Sequence, residues 1–498
     1  MDFSESAYGA LLEEIFLRFP SVQKTDFARA YKPGLEGMEA FCEALGHPER
    51  SFRSIHVAGT NGKGSVASLL TSALSAVGLR TGLYTSPHLV DFRERARIVS
   101  PGLVSGKNGH FDENGLVSGR EELSSASLRD PIRANAPESP SLPETEKAFG
   151  LIPKKYVFDF LVQWEPYFIE HRLSFFEITT GLAFKWFADE KVDVAVIEVG
   201  LGGRLDSTNV ITPELSVVTT IGLDHCAQLG NTLAAIAGEK AGIFKPGVPA
   251  LVGESNPETD PVFDDKAWMM CPLTYADKIQ PSLWHRRQDI LKQMDLQADA
   301  QEKNLRTVLA AIDILKEIPG FKALSDAESV REGIVDAARR TGFHGRWERL
   351  SEIPFVIADI GHNPQALAYN FDQLRRYVDE GRCSSLIIVY GVMADKDLDG
   401  ILPLMPADAT YIFTAPQTSR ALPADDILKR FTAFQGGKPS LRAYSAPTVR
   451  QAVQMALQLA QTLSGQTSRS ASADKPVPPL VFIGGSAFVV AEALPLFH

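Results

Sequence analysis

Cysteine is scarce: the chain of 498 residues has 4. Cys42, Cys226, Cys271 and Cys383 lie 184, 45 and 112 positions apart, a spacing that builds neither a zinc knuckle nor a disulfide framework. Reduced thiols in a cytoplasmic setting are expected. Long apolar runs are missing as well. No stretch approaches the roughly 18 residues of a membrane-spanning helix. The opening MDFSESAYGA has no basic segment leading into an apolar one, so no secretory signal is predicted. Positive charge is also short, with 50 Lys and Arg against 61 Asp and Glu for a net charge of −11. That balance speaks against a protein that wraps nucleic acid or lies on an anionic membrane. It leaves room for a small polyanion held by a local loop. No repeat of fixed period is found.

The rest of the composition is that of a globular protein. With 44% apolar and 22% charged residues, global disorder, a coiled coil and a fibrous repeat are excluded. At about 150 residues per domain the length suggests roughly three units, but the order of elements supports two. Amphipathic helices are predicted from Tyr8 to Phe19 and from Glu36 to Ala44, with the Lys32-Pro33-Gly34-Leu35 turn between them. A strand from Ser54 to Ala58, a glycine-rich turn, a helix from Ser65 to Val77 and a strand from Thr81 to Tyr84 then open a parallel α/β sheet. Pro101 to Gly150 breaks this rhythm. Six Gly, five Pro and seven Ser in 50 positions bury too little apolar area to pack, which predicts a mobile surface excursion.

Helices follow at Tyr156 to Glu170 and Glu177 to Ala188, then strands at Val192 to Val199, Leu215 to Thr220 and Val248 to Val252. VDVAVIEV (192–199) is apolar at nearly every position, as in a strand covered on both faces. A polar stretch around 280 to 300 places a boundary near residue 298, dividing the chain into domains 1–298 and 299–498. The second domain also reads as α/β. It has helices at Asn304 to Lys316, Ala424 to Phe431 and Thr448 to Leu463, and strands at Phe355 to Ile360, Ser385 to Tyr390, Ala409 to Phe413 and Leu480 to Ile483. Gly465 to Pro479 reads as a short low-complexity loop.

The strongest local signal is Gly59-Thr60-Asn61-Gly62-Lys63-Gly64-Ser65 after the first strand. Glycines there let the backbone aim several N–H groups at one anion, the helix adds its positive end, and a lysine supplies a point charge for phosphate. Gly64 follows Lys63, so the strict G-x-x-x-x-G-K-[ST] string is not matched. Ser86, Glu198 and His225 each follow a strand, where parallel sheets gather their loops at one crevice. They could therefore meet at a divalent cation, with Asp224 orienting His225. Gly200 to Asn209 (GLGGRLDSTN) would admit a substrate closely, with Arg204 and Asp206 as polar contacts. Lys240 and Lys245 both lie near a helix end, and physics does not separate them. Further along, Arg346 suits phosphate, and the strand-end Asp359 suits a ribose or ring nitrogen. His362-Asn363-Pro364, Asp395-Lys396-Asp397 and Gly484-Gly485-Ser486 occupy similar positions after strands.

Taken together, GTNGKGS (59–65), TSPHL (85–89), FFE (175–177), EVGLGGRLDSTN (198–209), GLDH (222–225), GEKAGI (238–243) and GHNP (361–364) form an ordered set. In that order the chain resembles the folylpolyglutamate synthase and dihydrofolate synthase family, within the Mur ligase superfamily. The resemblance implies a P-loop-containing, Mur-ligase-like first domain and a second, Rossmann-like α/β domain. It implies that Gly59 to Ser65 form the phosphate loop, and that Ser86, Glu198 and His225 are magnesium positions. Lys240, rather than Lys245, would be a carbamate that helps position the metal. Pro33, Gly34, Leu35, Ser174, Leu205, Asp206 and Ser207 would contact the pteroate-type substrate. Asn304, Arg346 and Asp359 would contact ATP, with His362 near its phosphates. Three departures stand out: Ala300-Gln301 replaces the usual His-Gln, Asp359-Ile360-Gly361-His362-Asn363-Pro364 replaces D-x-A-H-N-P, and an insertion of about 50 residues follows Arg95-Ala96-Arg97-Ile98.

The implied reaction activates a substrate carboxylate as an acyl phosphate, which the amine of L-glutamate then attacks. Lys63, His225, Lys240 and Asp206 are the expected catalytic residues, with His88 or Asp206 as a base for the amine. The implied substrates are dihydropteroate, folates, L-glutamate and ATP, with Mg2+ as cofactor and a monovalent cation such as K+ as a further candidate. A cytoplasmic monomer with neither nucleic-acid nor membrane partners is expected. A bifunctional enzyme is the first reading and a monofunctional folylpolyglutamate synthase the second. A Mur-type ligase on a cell-wall nucleotide fits less well, because the N-terminal region of about 50 residues leaves little room for a UDP-binding domain. A P-loop switch without ligase chemistry would leave Ser86, Glu198, His225 and Lys240 without a shared purpose.

Overall fold

The computed structural model describes residues 2–20, 34–102, 110–111, 117–118, 150–436, 442–467 and 477–497. Pro33, most of the 101–150 segment and most of the 465–479 loop lie outside the described residues. Among the described residues, the first sheet has strands β1 (Arg53–Ala58), β2 (Thr81–Tyr84), β3 (Ala96–Val99), β4 (Val194–Glu198), β5 (Leu215–Val218), β6 (Ala250–Val252) and β7 (Leu273–Tyr275). Their spatial order is β3-β2-β4-β1-β5-β6-β7, parallel except for β3 against β2. Alternation along β4 covers both faces: Val194 and Val196 face one cluster, Ala195 and Ile197 the other. Every residue of β4 is buried, which explains its unbroken apolar run.

One face is covered by α1 (Glu5–Arg18), α2 (Glu36–Ala44), α4 (Lys154–Glu170) and α5 (Phe175–Asp189), which build an aromatic core around Phe41, Phe158, Phe168 and Phe184. The opposite face is covered by α3 (Lys63–Ala76), α7 (Gln301–Leu315) and α8 (Ala327–Val335). The helix α6 (Leu233–Ala241) packs beside β5 and β6. The expected boundary near residue 298 therefore precedes two helices whose apolar sides, including Leu305, Val308, Val330 and Ile334, belong to the first core. By packing, the division we propose moves to about Gly342.

The second sheet comprises β8 (Glu348–Ser351), β9 (Phe355–Asp359), β10 (Leu386–Tyr390), β11 (Thr410–Thr414), β12 (Ala443–Ala446) and β13 (Leu480–Gly484). Its order is β8-β9-β13-β10-β11-β12, with only β8 antiparallel. The helices α9 (Pro364–Asp379) and α10 (Val449–Thr467) lie on opposite faces. The short edge strands β7, β8 and β12 are brief and carry polar residues, so the residues alone do not mark them. All four cysteines are free thiols. Among the described residues no helix is long and apolar enough to cross a membrane.

Candidate active site

The strand order β2-β4-β1-β5 sets four strand ends side by side. Tyr84 pairs with Ile197, Val57 with Glu198, and Ala58 with Val218. The loops beyond these ends carry Ser86, the 59–62 turn, and Thr219 through His225. On the second sheet, Asp359 and Tyr390 both pair with Gly484. The two sets of loops enclose one cavity of about 380 Å³, a size suited to a small ligand.

The turn at 59–62 needs glycine at two points. Gly59 has φ +149°, and a Cβ there would overlap the Thr219 hydroxyl; Gly62 has φ +86°, and a Cβ would overlap Asn304 Oδ1. Thr60 Oγ1 donates to the Gly222 carbonyl (3.1 Å) and accepts from the Gly222 N–H (3.0 Å), while Thr219 Oγ1 donates to the Asn61 carbonyl at 2.6 Å. A Gly59→Ala substitution is expected to destabilise the chain by about 1–3 kcal/mol, read from urea unfolding. An unchanged midpoint would show that the turn adapts.

Lys63 Nζ donates to the Gly59 carbonyl at 3.1 Å and the Thr60 carbonyl at 3.3 Å, and Lys240 Nζ donates to the same Gly59 carbonyl at 2.9 Å. Burial, reinforced by the Lys63 charge, lowers the Lys240 pKa to about 7. Lys245 instead donates to the Asn209 carbonyl at 2.8 Å and does not line the cavity. Lys240 thus lies on the cavity wall and Lys245 away from it, a difference in place that the residue types alone do not give. Glu198 is buried and accepts from the Ser86 N–H at 3.1 Å. Burial raises its pKa, against the opposing charge of Lys63. Burial lowers His225 to about 4, leaving a neutral imidazole able to ligate.

Asp224 does more than orient His225. One oxygen accepts from the His225 backbone N–H (2.9 Å) and from Lys396 Nζ (2.7 Å), and the other faces His362 Nε2 (3.3 Å) and Asn363 Nδ2 (3.2 Å). Burial opposes its ionisation, but the His362 hydrogen bond and the Lys396 charge prevail and hold the carboxyl far below the usual range. Asn61 and Asn363 exchange amide hydrogen bonds at 3.0 and 3.3 Å, and Asn61 also donates to Gln365 at 2.8 Å. Asn363, Gln365 and Lys396 therefore join the domains across the cavity. Only their positions after strands were visible in the sequence, since their partners lie 139 to 304 residues away.

Asp206 accepts from Leu201 N (2.8 Å), Thr208 N (3.0 Å) and Thr208 Oγ1 (2.5 Å). These bonds make it the fastener of the 200–208 turn. Ser174 forms a capping box with Glu177 at the start of α5, and Leu205 and Ser207 line the cavity wall beside Phe175 and Phe176. Asn304 donates to Gln301 Oε1 (3.0 Å), whose amide reaches Ser65 Oγ (3.3 Å). Asp359 accepts from Trp347 N, Gly361 N and Asn370 Nδ2. Burial lowers the pKa of Arg346, which lies near Asp359 and Glu198. Gly59 through Ser65, Ser86, Ser174, Glu198, Leu205, Asp206, Ser207, His225, Lys240, Asn304, Arg346, Asp359 and His362 all line the one cavity.

Gly34 and Leu35 do not line it. They precede α2, which is anchored by Phe41 in the aromatic core. His88 is likewise not among the lining residues. Its Nδ1 accepts from Arg95 Nε at 2.8 Å, and its ring packs edge-on against Phe16 and Phe92. Burial and the Arg95 charge lower its pKa well below the ordinary value, so it is a support for Arg95 rather than a base open to substrate.

Among the described residues no three His, Cys, Asp or Glu side chains cluster as a preformed metal cage. Ser86, Glu198 and His225 nevertheless line the same cavity, and a hydroxyl, a carboxylate and an imidazole are groups that a divalent cation retaining water accepts.

Residues 345–465 match the Mur ligase, glutamate ligase domain, beginning where packing hands over to the second sheet. The chain is 31% identical over 405 residues to the dihydrofolate synthase/folylpolyglutamate synthase of Escherichia coli, covering 80% of this chain and 81% of that protein. Its fold matches Mycobacterium tuberculosis folylpolyglutamate synthase complexed with ADP at a TM-score of 0.74 and 25% identity, over 99% of this chain and 98% of that one. A bifunctional folylpolyglutamate synthase/dihydrofolate synthase with Mn, AMPPNP and L-glutamate bound matches at a TM-score of 0.66 and 25% identity, over 94% and 95% of the two chains. With two α/β domains meeting at the 59–65 turn and this degree of identity, the chain belongs to the folylpolyglutamate synthase/dihydrofolate synthase family.

Proposed function

We propose that this protein joins L-glutamate to the carboxylate of dihydropteroate and to that of tetrahydrofolate glutamates, using ATP. The observation that carries this reading is the convergence, in one cavity between the domains, of the 59–65 turn, Lys240, Glu198 and an aromatic wall. Phe175 packs against Phe16 with ring centroids 4.3 Å apart, and the Arg95 guanidinium lies 5.2 Å from the Phe175 centroid. A flat conjugated ring system carrying a carboxylate suits such a wall.

A carboxylate is a poor electrophile. Its oxygen attacks the γ-phosphorus of ATP, ADP leaves, and the resulting acyl phosphate has phosphate as a leaving group. The glutamate amine then attacks the carbonyl carbon, loses a proton and expels phosphate. The backbone N–H groups of 59–65 and Lys63 stabilise charge on the transferring phosphoryl group, and the two domains hold the reactants in line and keep water out. Ser86, Glu198 and His225 would hold Mg2+, with Lys240 as a carbamate assisting; the metal supplies charge neutralisation on the phosphates when bound. We place Asn304, Arg346, Asp359 and His362 at ATP, and Ser174, Leu205 and Ser207 at the pteroate-type substrate. Asp206 shapes that wall. We further propose a cytoplasmic monomer, with K+ as an accessory ion.

The test uses purified protein with ATP, Mg2+ and glutamate, offered dihydropteroate or tetrahydrofolate in turn. Glutamate-dependent ADP release with both is expected. Release with tetrahydrofolate alone would make the enzyme monofunctional, and release with neither would overturn the reading.

A further inference from the structure

His56 lies within β1, wholly buried, between Ile197 of β4 and Ser216 of β5. Its Nε2 is 2.8 Å from Thr208 Oγ1, which is 2.5 Å from Asp206 Oδ1. The direction of the protons follows from the Asp206 partners. Both Asp206 oxygens accept backbone N–H groups, from Thr208 and Leu201, as a carboxylate does. The Thr208 hydroxyl therefore donates to Asp206 and has only lone pairs to offer His56. It follows that His56 Nε2 carries the hydrogen. Nδ1 is then a bare acceptor, and it has no partner among the described residues. A second proton there would have nowhere to go, in keeping with burial, aided by Lys245, lowering this imidazole to about 3.

The relay ends at a functional wall. Asp206 fastens Leu201 and Thr208, so the turn between them, including Leu205 and Ser207, keeps its place along the cavity. We propose that His56 is a positioning residue: a neutral imidazole of one tautomer that turns the Thr208 hydroxyl toward Asp206 and thereby fixes the 200–208 turn against the carboxylate substrate. This rests on the assignment of that wall to the pteroate-type substrate.

The experiment compares His56→Leu, His56→Gln, Thr208→Val and the His56→Leu/Thr208→Val double variant with the parent chain. Steady-state kinetics give KM for tetrahydrofolate and for ATP, and hydrogen exchange reports the amides of Leu201 and Thr208. Losing one buried hydrogen bond changes an equilibrium by roughly tenfold. His56→Leu and Thr208→Val are expected to raise the tetrahydrofolate KM by about that factor, leave the ATP KM within about twofold, and speed exchange about tenfold. Because the amide nitrogen of glutamine reaches the place of Nε2, His56→Gln should restore both readouts. The double variant should be no worse than Thr208→Val alone, which already removes the bond to His56 along with the one to Asp206. Parallel rises in both KM values, unchanged exchange, or failure of glutamine to rescue would overturn the proposal. Thr208→Val keeps the shape of the core and supplies the decisive comparison if a His56 variant does not fold. A parent chain that turns over no folate, with exchange responding as expected, would sink the functional reading and not the fastening of the turn.

Discussion

Replacing Lys63 by alanine is expected to lower glutamate-dependent ADP release by about a thousandfold, the upper range for removing one pre-aimed donor from a transition state. The ammonium is held over the first turn by the Gly59 and Thr60 carbonyls, so it is in place before any phosphate arrives. It also lies near Glu198 and Lys240, whose ionisation it biases. Lys63 is only half-buried, so its removal should leave unfolding nearly unchanged, within about 0.5 kcal/mol. Measured together, kcat and thermal unfolding separate a chemical role from a structural one. Turnover within tenfold of the parent enzyme would refute the assignment of Lys63 to the transferring phosphoryl group.

Lys240→Ala should produce a loss of comparable size, and for a different reason. A carbamate forms only when a neutral amine attacks CO2. With its pKa lowered to about 7, about half of the Lys240 amines are neutral at pH 7, against fewer than about one in a thousand for an ordinary lysine. The buried pocket that makes the ammonium costly also shields the product from water. Two measurements test this. Enzyme prepared without CO2 should lose activity and regain it with bicarbonate, and Lys240→Ala should be rescued by formate or acetate, which restore a carboxylate. Rescue by methylammonium instead would mean that the positive amine is the working form.

Much of this site is legible in the chain because chemistry and local geometry coincide there. Gly59 to Ser65 follow a strand and open a helix, and Glu198 ends an apolar run, so both announce their places. Position after a strand also marked Ser86, His225 and Asp359. What stayed hidden depends on pairing over long separations. The helix Gln301–Leu315 follows a polar stretch and so read as the start of the second domain, yet its apolar stripe fits the first core. His56 is a single polar residue in an apolar strand, and nothing nearby names Thr208 as its partner, 152 residues on. The Pro33-Gly34-Leu35 turn reads as part of the substrate pocket by resemblance alone; in the structure the Leu35 carbonyl accepts the Glu39 N–H at the start of α2.

The clasp between Asn61, Asn363 and Gln365, with Asp224 and Lys396 beside it, consists wholly of groups that water can replace. Each amide pair is worth only about 1 kcal/mol net, because separation trades it for hydration. A seam of leucines in the same place would resist parting in proportion to the oily area newly wetted. Here these contacts between the domains can part by exchanging partners with water, at a cost set by hydrogen bonds rather than by wetted apolar area.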